Sequence, residues 1–263
     1  MGDSSHTSDL TIGAGVRIAG AKSAMGAAER LISMMPTHRV YLEGFGGTGI
    51  VGRRKRLAER NVIIEKDDAA AAQLRATMGP GFEVIHGDAF DYARSLLAIP
   101  DTLAYFDPPY VMDTRRSARP IYRHEFADVD HRRLHAMVTD PTVQARIMIS
   151  GYAGSLYEAL FGAWRRAEFY VMTRGGRALE CVWMNFAEPS DFHDTRFIGS
   201  SFTDRQRIKR KADRWAKRLA SMPPGERAAV LDAIRSQLCR PAEPKIAMAA
   251  ADELAAQSQS ADP

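Results

Sequence analysis

The sequence predicts an α/β fold built on a mostly parallel, seven-stranded sheet that closes with an antiparallel hairpin. Short apolar runs alternate with helical patterns as far as about residue 170, which is typical of βαβ units and a parallel sheet. The last two strand-like runs are joined directly by Arg174-Gly-Gly-Arg177. A Gly-Gly pair between two such runs indicates a tight hairpin, whose strands are antiparallel.

The individual elements follow from apolar periodicity and from the proline and glycine breaks between them. The predicted strands are 39–43, 61–65, 82–86, 102–107, 145–150, 168–173 and 178–186. The predicted helices are 20–35, 50–60, 68–78, 90–98, 128–139, 155–162, 205–220 and 225–240. We expect a catalytic domain over 11–200 and a basic helical extension over 201–240, with disordered ends at 1–10 and 241–263.

Composition is ordinary for a soluble globular protein. The chain has 263 residues, of which 45% are hydrophobic and 26% charged, and its net charge of +4 permits a polyanionic partner. No apolar run approaches the roughly 20 residues of a membrane-spanning helix, and the N-terminus lacks a signal-peptide core. Cys181 and Cys239 match no metal-binding spacing, which favours a reducing compartment. We therefore expect a cytoplasmic protein.

A glycine-rich turn, Glu43-Gly-Phe-Gly-Gly-Thr-Gly49, lies between a predicted strand and a predicted helix. Its glycines let the backbone approach a ligand, and Glu65, about twenty residues on, can hydrogen-bond ribose hydroxyls. A dinucleotide would place its pyrophosphate at the helix N-terminus, where Glu43 repels it. The ammonium and sulfonium groups of S-adenosylmethionine suit that carboxylate better. The turn thus favours S-adenosylmethionine over NAD, and a turn that binds no ligand is the remaining alternative.

Four acidic residues follow or end four predicted strands. Ligands in open α/β sheets bind at the carboxyl ends of the strands. Glu43, Glu65, Asp88 and Asp107 all lie at such ends, so we expect them in register-equivalent positions. Asp88 could accept a hydrogen bond from an adenine amino group with Phe90 packed nearby, or it could simply be a helix N-cap.

Asp107-Pro-Pro-Tyr110 ends the apolar strand that begins at Thr102. Proline has a fixed φ and no N–H, so Pro108 and Pro109 stop the strand. The Asp107 carboxylate, the Pro108 carbonyl and the Tyr110 ring could together hold a planar ring that bears an amino group. A strand that ends in a tight turn without a ligand is the alternative.

These motifs resemble the DNA adenine-N6 methyltransferases, most closely the phage-type members of the Dam-like D12 class. The resemblance covers about residues 11–220 and is most specific at Asp107-Pro-Pro-Tyr110. It implies the class I S-adenosylmethionine-dependent methyltransferase fold. It also implies a cofactor site formed by Lys22, Glu43, Gly44, Phe45, Gly46, Gly47, Glu65, Asp88, Ala89, Phe90 and Asp107.

The implied reaction moves a methyl group to the exocyclic amine of an adenine that is flipped out of a DNA duplex. That amine is a poor nucleophile because its lone pair is delocalised into the ring. Asp107 and the Pro108 carbonyl can each accept one of its N–H bonds, and Tyr110 would stack on the base. The implied catalytic residues are Asp107, Pro108, Pro109 and Tyr110, and no metal is required.

The sequence departs from the family where DNA would be recognised. Dam-type members carry a sizeable recognition segment before Asp-Pro-Pro-Tyr, whereas one short helix separates Asp88 from Asp107 here. We therefore expect a short recognition site or a weak sequence preference. The loop 111–126 could read bases or hold phosphates through arginine donors. These are Arg115, Arg116, Arg119 and Arg123. Gly44 also replaces the proline that is usual in the family.

A second basic feature lies at 205–218, where eight basic residues accompany one acid, Asp213. Ile208, Ala212, Trp215 and Leu219 recur at helical spacing, so we expect one side of this helix to pack. The remaining surface is either solvated or in contact with DNA phosphates, which position a duplex without reading it. The predicted phosphate contacts are Arg207, Lys209, Arg210, Lys211 and Arg214.

Double-stranded DNA is the expected partner, and four alternatives remain open. The chain could methylate RNA adenine or DNA cytosine N4, although a serine before the prolines would favour cytosine. It could be a catalytically dead DNA-binding regulator, which the intact Asp107-Pro-Pro-Tyr110 disfavours. It could be an NAD-dependent oxidoreductase, which leaves that motif unexplained.

Overall fold

The computed structural model describes residues 26–114, 123–173 and 176–238. The chain forms two compact units, Met1–Ser200 and Ser201–Pro263. The first contains a seven-stranded sheet with flanking helices, and the second contains two helices. Outside the described residues lie the predicted site residues Lys22, Arg115, Arg116 and Arg119 and the ends 1–10 and 241–263.

The sheet of the first unit has the strand order β3-β2-β1-β4-β5-β7-β6. Its strands are β1 Val40–Glu43, β2 Arg60–Glu65, β3 Glu83–His86, β4 Thr102–Phe106, β5 Arg146–Gly151, β6 Arg165–Thr173 and β7 Gly176–Met184. Strands β1 to β5 pair in parallel, whereas β7 lies antiparallel between β5 and β6. An antiparallel β7 inserted between β5 and β6 defines the class I S-adenosylmethionine-dependent methyltransferase fold, so the predicted fold class is confirmed.

Helices cover both faces of this sheet. In the first unit they are α1 Ala27–Ile32, α2 Ile50–Arg54, α3 Asp68–Thr77, α4 Ala89–Leu97, α5 Asp128–Val138 and α6 Ser155–Phe161. Every residue of β4 is buried, because a central parallel strand is covered on both faces. Tyr105 packs in the core beneath α1 and α2, and Phe106 packs in the opposite core beneath α4 to α6. The continuous apolar run of β4 thus reflects its central place.

Several predicted boundaries are wrong by three or more residues. Helix α1 ends at Ile32 rather than residue 35, and the helix predicted from residue 205 begins at Phe202. Helix α2 ends at Arg54 rather than near residue 60. The backbone of Lys55 is extended, with ψ 161°, and its side chain is buried. The Lys55 ammonium donates to the Asn61 side chain at 2.9 Å, a long-range contact that helical periodicity does not reveal. Strand β6 begins at Arg165, three residues before the predicted start, because it pairs with β7 along its whole length.

The second unit consists of α7 Phe202–Ala220 and α8 Pro224–Leu238. Ser201 caps α7 by accepting a hydrogen bond from the Asp204 N–H. The prediction that one side of α7 packs is wrong for the described residues, since the helix has no buried residue and Trp215 is 51% exposed. The helix is held by its cap and by local ion pairs such as Lys209–Asp213. No helix in the described ranges is long and apolar enough to cross a membrane.

Candidate active site

The four predicted acids lie at the carboxyl edge of the sheet, but the prediction that they occupy register-equivalent positions is wrong. Glu43 pairs with Ile63 of β2 and Tyr105 of β4, so Glu65 and Asp107 lie two residues further out. Asp88 lies two residues beyond His86, the partner of Glu65. Side chains alternate between faces along a strand, so these even offsets keep Glu43, Glu65 and Asp107 on one face. Glu43 is therefore deep, and the other acids form the rim.

Glu43 is a buried carboxyl group held at one oxygen. It is 3% exposed, and its Oε2 accepts hydrogen bonds from the Tyr41 hydroxyl at 3.0 Å and the Gly52 N–H at 3.1 Å. Burial raises the pKa of Glu43 to about 8, while these two bonds act in the opposite direction. A cation that reached Oε1 would compensate the buried charge, which is the property that a site for an ammonium group requires.

The glycine-rich turn packs tightly against neighbouring side chains. A Cβ on Gly44 would lie 2.3 Å from Cε1 of Phe106, and a Cβ on Gly46 would lie 2.6 Å from Cγ2 of Ile63. At Gly44 the aromatic ring of Phe106 on β4 fills the space that a side chain would need. Gly47 and Gly49 have φ of +51° and +62°, a region that favours glycine. The turn therefore depends on glycine for both packing and conformation.

Glu65 holds the turn in place. Its Oε2 accepts the Gly47 N–H at 2.7 Å, and its Oε1 accepts the Asp67 N–H at 2.8 Å. A carboxylate has about four acceptor sites, so each oxygen retains capacity for a ribose hydroxyl. Glu65 is half-buried at the mouth of the turn. Its position fits the predicted ribose contact, and in this structure its hydrogen bonds are to backbone.

Asp88 is the N-cap of α4 and accepts the Phe90 N–H at 3.0 Å. Its Oδ2 also accepts a bond from the Lys66 ammonium at 2.9 Å. Partial burial raises the pKa of Asp88, but these two bonds outweigh it and hold the pKa below its usual value. Ala89 and Phe90 are buried beneath this cap. The N-cap alternative is thus realised, and the half-exposed carboxylate remains at the rim.

The Asp107-Pro-Pro-Tyr110 segment leaves β4 beside Glu43. Asp107 and Pro109 are half-buried, Pro108 is buried and Tyr110 is 6% exposed. The ring of Tyr110 meets Tyr152 edge-on, with centroids 4.5 Å apart. The negative charge of Asp107 contributes, after burial, to the raised pKa of the Tyr157 hydroxyl. It also raises the pKa of Glu43, so the two carboxyl groups share one electrostatic site.

Three aromatic rings underlie the turn and the Asp88 cap. Phe126 meets Phe45 edge-on at 5.3 Å and lies nearly parallel to Phe90 at 6.0 Å. The Arg133 guanidinium stacks over Phe90 at 4.1 Å. The sequence predicts Phe45 and Phe90 as cofactor-binding residues. In the structure both rings pack against Phe126, beneath the glycine-rich turn.

The predicted site residues do not include Tyr41 and Lys55, which the structure places beside Glu43. Tyr41 has a detectable signal, because it stands two residues before Glu43 on a strand and must share its face. Lys55 lies in a basic run that is typical of a solvated surface, yet it is 4% exposed. No local pattern distinguishes it from its neighbours.

The predicted DNA contacts among the described residues fall into two groups. Arg123 is exposed, and its Nη1 donates to Asp67 Oδ2 at 2.6 Å, next to Glu65. The others lie on α7 in the second unit, where Arg207 pairs with Asp204 and Lys209 pairs with Asp213. These α7 residues are all exposed: Arg207, Lys209, Arg210, Lys211 and Arg214. The described residues contain no group of three or more His, Cys, Asp and Glu side chains that could hold a metal.

No family model matches the chain, and no curated protein matches it. Solved structures that resemble it include a precorrin-8w decarboxylase from Methanobacterium thermoautotrophicum, 14% identical with a TM-score of 0.42 over 64% of this chain and 91% of that one. A Streptococcus mutans protein described as a methyltransferase and solved with S-adenosylhomocysteine is 11% identical, with a TM-score of 0.41 over 62% and 99%. An rRNA methylase from Streptococcus thermophilus is 11% identical, with a TM-score of 0.41 over 63% and 98%. Such similarities carry no functional argument, and the class I methyltransferase fold is established by this chain's own strand order and directions.

Proposed function

We propose that the chain is an S-adenosylmethionine-dependent methyltransferase that modifies the N6 amine of adenine in DNA. The observation that carries the proposal is that Glu43 and Asp107 lie at the ends of adjacent strands. Glu43 ends β1 and pairs with Tyr105 of the parallel strand β4, and Asp107 directly follows β4, two residues further out. Neighbouring strands lie about 4.8 Å apart, so the acid proposed to bind the cofactor's cation is deep in the site and the acid proposed to bind the amine is nearer the rim.

The residues present fit S-adenosylmethionine. The buried Glu43 carboxyl group has both of its hydrogen bonds on Oε2, so Oε1 is the oxygen that receives the cofactor's ammonium group. Glu65, at the mouth of the glycine turn, would bind the ribose, and Asp88 at the rim would bind the adenine. The cofactor supplies an electrophilic methyl group, so the protein's task is to position the acceptor.

Asp107 and the Pro108 carbonyl orient the acceptor amine. Each accepts one N–H bond, which favours a pyramidal nitrogen with its lone pair directed away from the ring. Because Pro109 has no N–H, the Pro108 carbonyl lies in a segment that cannot extend the ladder of β4. The charge that develops on the amine is stabilised by a carboxylate already in place, which is the electrostatic contribution that enzymes use most.

In this proposal Tyr110 stacks on the flipped adenine, but its ring is buried and packed against Tyr152. Only 6% of Tyr110 is exposed, and Tyr152 meets its ring edge-on. A flipped base can stack on Tyr110 only if the rings around it separate locally. Flipping from a duplex costs a few kcal/mol, and this rearrangement adds to that cost.

The basic helix α7 supplies phosphate contacts in the same proposal. It carries eight basic and two acidic side chains, a net charge of +6 against +4 for the whole chain. The remainder of the chain is therefore net negative, and α7 provides the attraction for a polyanion. Phosphate contacts release counterions, so affinity for DNA falls steeply with salt.

The deciding experiment is transfer of tritium from labelled S-adenosylmethionine to unmethylated DNA, followed by nucleoside analysis. We expect label in N6-methyladenine, and we expect Asp107→Ala to abolish transfer. Asp91→Ala, which removes an exposed acid of α4, is the matched control and should retain activity. Label found only in RNA or protein would refute the proposal.

A second measurement tests α7. Replacing Arg207, Lys209, Arg210, Lys211 and Arg214 with glutamine should weaken DNA binding and flatten its salt dependence, by about 0.9 in the log–log slope for each lost contact. Arg39 and Arg60 are exposed cations paired with Glu59 and Glu83, and replacing them with glutamine is the control. An unchanged slope in the α7 variant would remove the helix from the DNA interface.

One observation favours RNA adenine as the second candidate substrate. Between Asp88 and Asp107 the structure contains only α4, a connecting turn and β4, which leaves no room for a duplex-recognition domain there. Sequence-specific RNA recognition usually targets unpaired bases, which need no extraction from a stack. Label in N6-methyladenosine of RNA, in the same assay, would select this candidate.

A further inference from the structure

We infer that Tyr41 is a positioning residue for the cofactor's ammonium group, acting through Glu43. The inference rests on the proposed function, because it assumes that Glu43 receives that ammonium. It adds a residue outside the glycine turn and outside Asp107-Pro-Pro-Tyr110. Tyr41 lies two residues before Glu43 on β1, and its side chain is completely buried on the same face.

The hydrogen bonds at Glu43 define which of its oxygens is available to a ligand. The Tyr41 hydroxyl and the Gly52 N–H both donate to Oε2, at 3.0 and 3.1 Å. Two donors on one oxygen fix the rotation of the carboxyl group, so Oε1 has one defined direction. A Cβ on Gly52 would lie 2.9 Å from Oε2, so the backbone of α2 approaches this oxygen closely because residue 52 is a glycine.

The Tyr41 ring is itself contacted by the buried Lys55 side chain, whose pKa burial lowers to about 7. The Lys55 ammonium lies 4.2 Å from the centroid of the ring, a distance at which a cation and an aromatic face attract. That ammonium is fixed by hydrogen bonds to the Asn61 side chain and the Arg56 carbonyl, both at 2.9 Å. Lys55, Tyr41 and Glu43 thus form a continuous buried array that ends at the cofactor-facing carboxyl group.

The electrostatics of the array agree with this geometry. Burial raises the pKa of Glu43, and the negative charge of Asp107 raises it further. The bonds from Tyr41 and Gly52 and the charge of Lys55 lower it. Removing the Tyr41 hydroxyl therefore disfavours the ionised carboxylate that an ammonium ligand needs, as well as its orientation.

Tyr105 provides a matched control on the neighbouring strand. It is also completely buried and packs in the same core as Tyr41. Its hydroxyl, however, lies 2.9 Å from the Ser150 hydroxyl. Tyr105→Phe removes a buried hydroxyl from the same core without removing a donor to Glu43, so it reports the general cost of such a deletion.

The test is isothermal titration of the full chain with two ligands. S-adenosylhomocysteine carries the amino group, and its deaminated analogue lacks only that group. We expect Tyr41→Phe to weaken binding of S-adenosylhomocysteine about tenfold, the worth of a hydrogen bond to a charged group. Binding of the deaminated analogue should not change. Tyr105→Phe should change the affinity for the two ligands to the same extent.

The outcomes separate the inference from the proposed function. If the unaltered protein binds neither ligand, the proposed function fails. If it binds S-adenosylhomocysteine but Tyr41→Phe weakens neither ligand, or weakens both equally, the role of Tyr41 is overturned while the function stands. Should Tyr41→Phe fail to fold, Lys55→Met is the second variant, because it removes the ammonium that contacts the Tyr41 ring. It should weaken binding of S-adenosylhomocysteine but not of the deaminated analogue, by less than tenfold. Equal loss of both ligands in that variant would also overturn the inference.

Discussion

Replacing Glu43 with glutamine should make the protein without ligand more stable than the original chain at alkaline pH. Glu43 is 3% exposed at the end of β1, and burial raises its pKa from 4.5 to about 8. A glutamine keeps an oxygen for the donors Tyr41 and Gly52 but never carries a charge. The variant therefore removes the cost of ionising a buried group while it preserves most of the packing.

The direction of the pH dependence follows from linkage. Because the folded pKa is raised, neutral Glu43 contributes its stability fully below about pH 4.5, and this contribution is lost as the pH rises through about 8. The change from 4.5 to about 8 corresponds to about 5 kcal/mol at about 1.4 kcal/mol per pKa unit. Relaxation and water penetration reduce such penalties, so we expect the variant to gain about 2–4 kcal/mol on the original between pH 5 and 8.5.

The assay is urea unfolding at several pH values, followed by tryptophan fluorescence. Trp215 is half-exposed on α7, so both proteins should carry Trp215→Phe to confine the signal to the first unit. Glu59→Gln is the control, because the Arg39 hydrogen bond lowers the pKa of Glu59 and leaves it ionised across this range. A free-energy difference between Glu43→Gln and the original that stays constant from pH 5 to 8.5 would refute the reasoning.

Two further pairs of substitutions test contacts around the site by the same unfolding measurement. Gly44→Ala should lower the free energy of unfolding by about 1–3 kcal/mol, because its Cβ would lie 2.3 Å from Phe106. Gly79→Ala is the control and should not change stability, because a Cβ there would have nothing within 4 Å. Equal losses in the two variants would contradict the assigned contact. Asp67→Ala should cost about 1 kcal/mol through loss of the α3 cap, and Arg123→Ala, which removes only the exposed ion pair, should cost less. A larger loss in the arginine variant would reverse that assignment.

Most of the fold is predictable from the sequence because its signals are local. The apolar run of β4 and the Gly-Gly connection of the last hairpin each specify an element without reference to the rest of the chain. Asp88 at the start of α4 is similarly local, since an N-cap depends only on the next few residues. Helix α2 is the exception, because it ends where Lys55 finds buried partners that lie further along the chain.

The sequence by itself determines the strand and helix order, the glycine turn and the presence of an acid at the end of each of four strands. Only the tertiary structure decides their depth, because register depends on which strands pair, and pairing places Glu43 two residues deeper than Glu65 and Asp107. It also decides that Tyr41 and Lys55 are buried behind Glu43, since a basic run has the same local pattern whether it is solvated or enclosed. The sequence motifs predict the type of chemistry, whereas the packing around Glu43 determines the pKa of its carboxyl group.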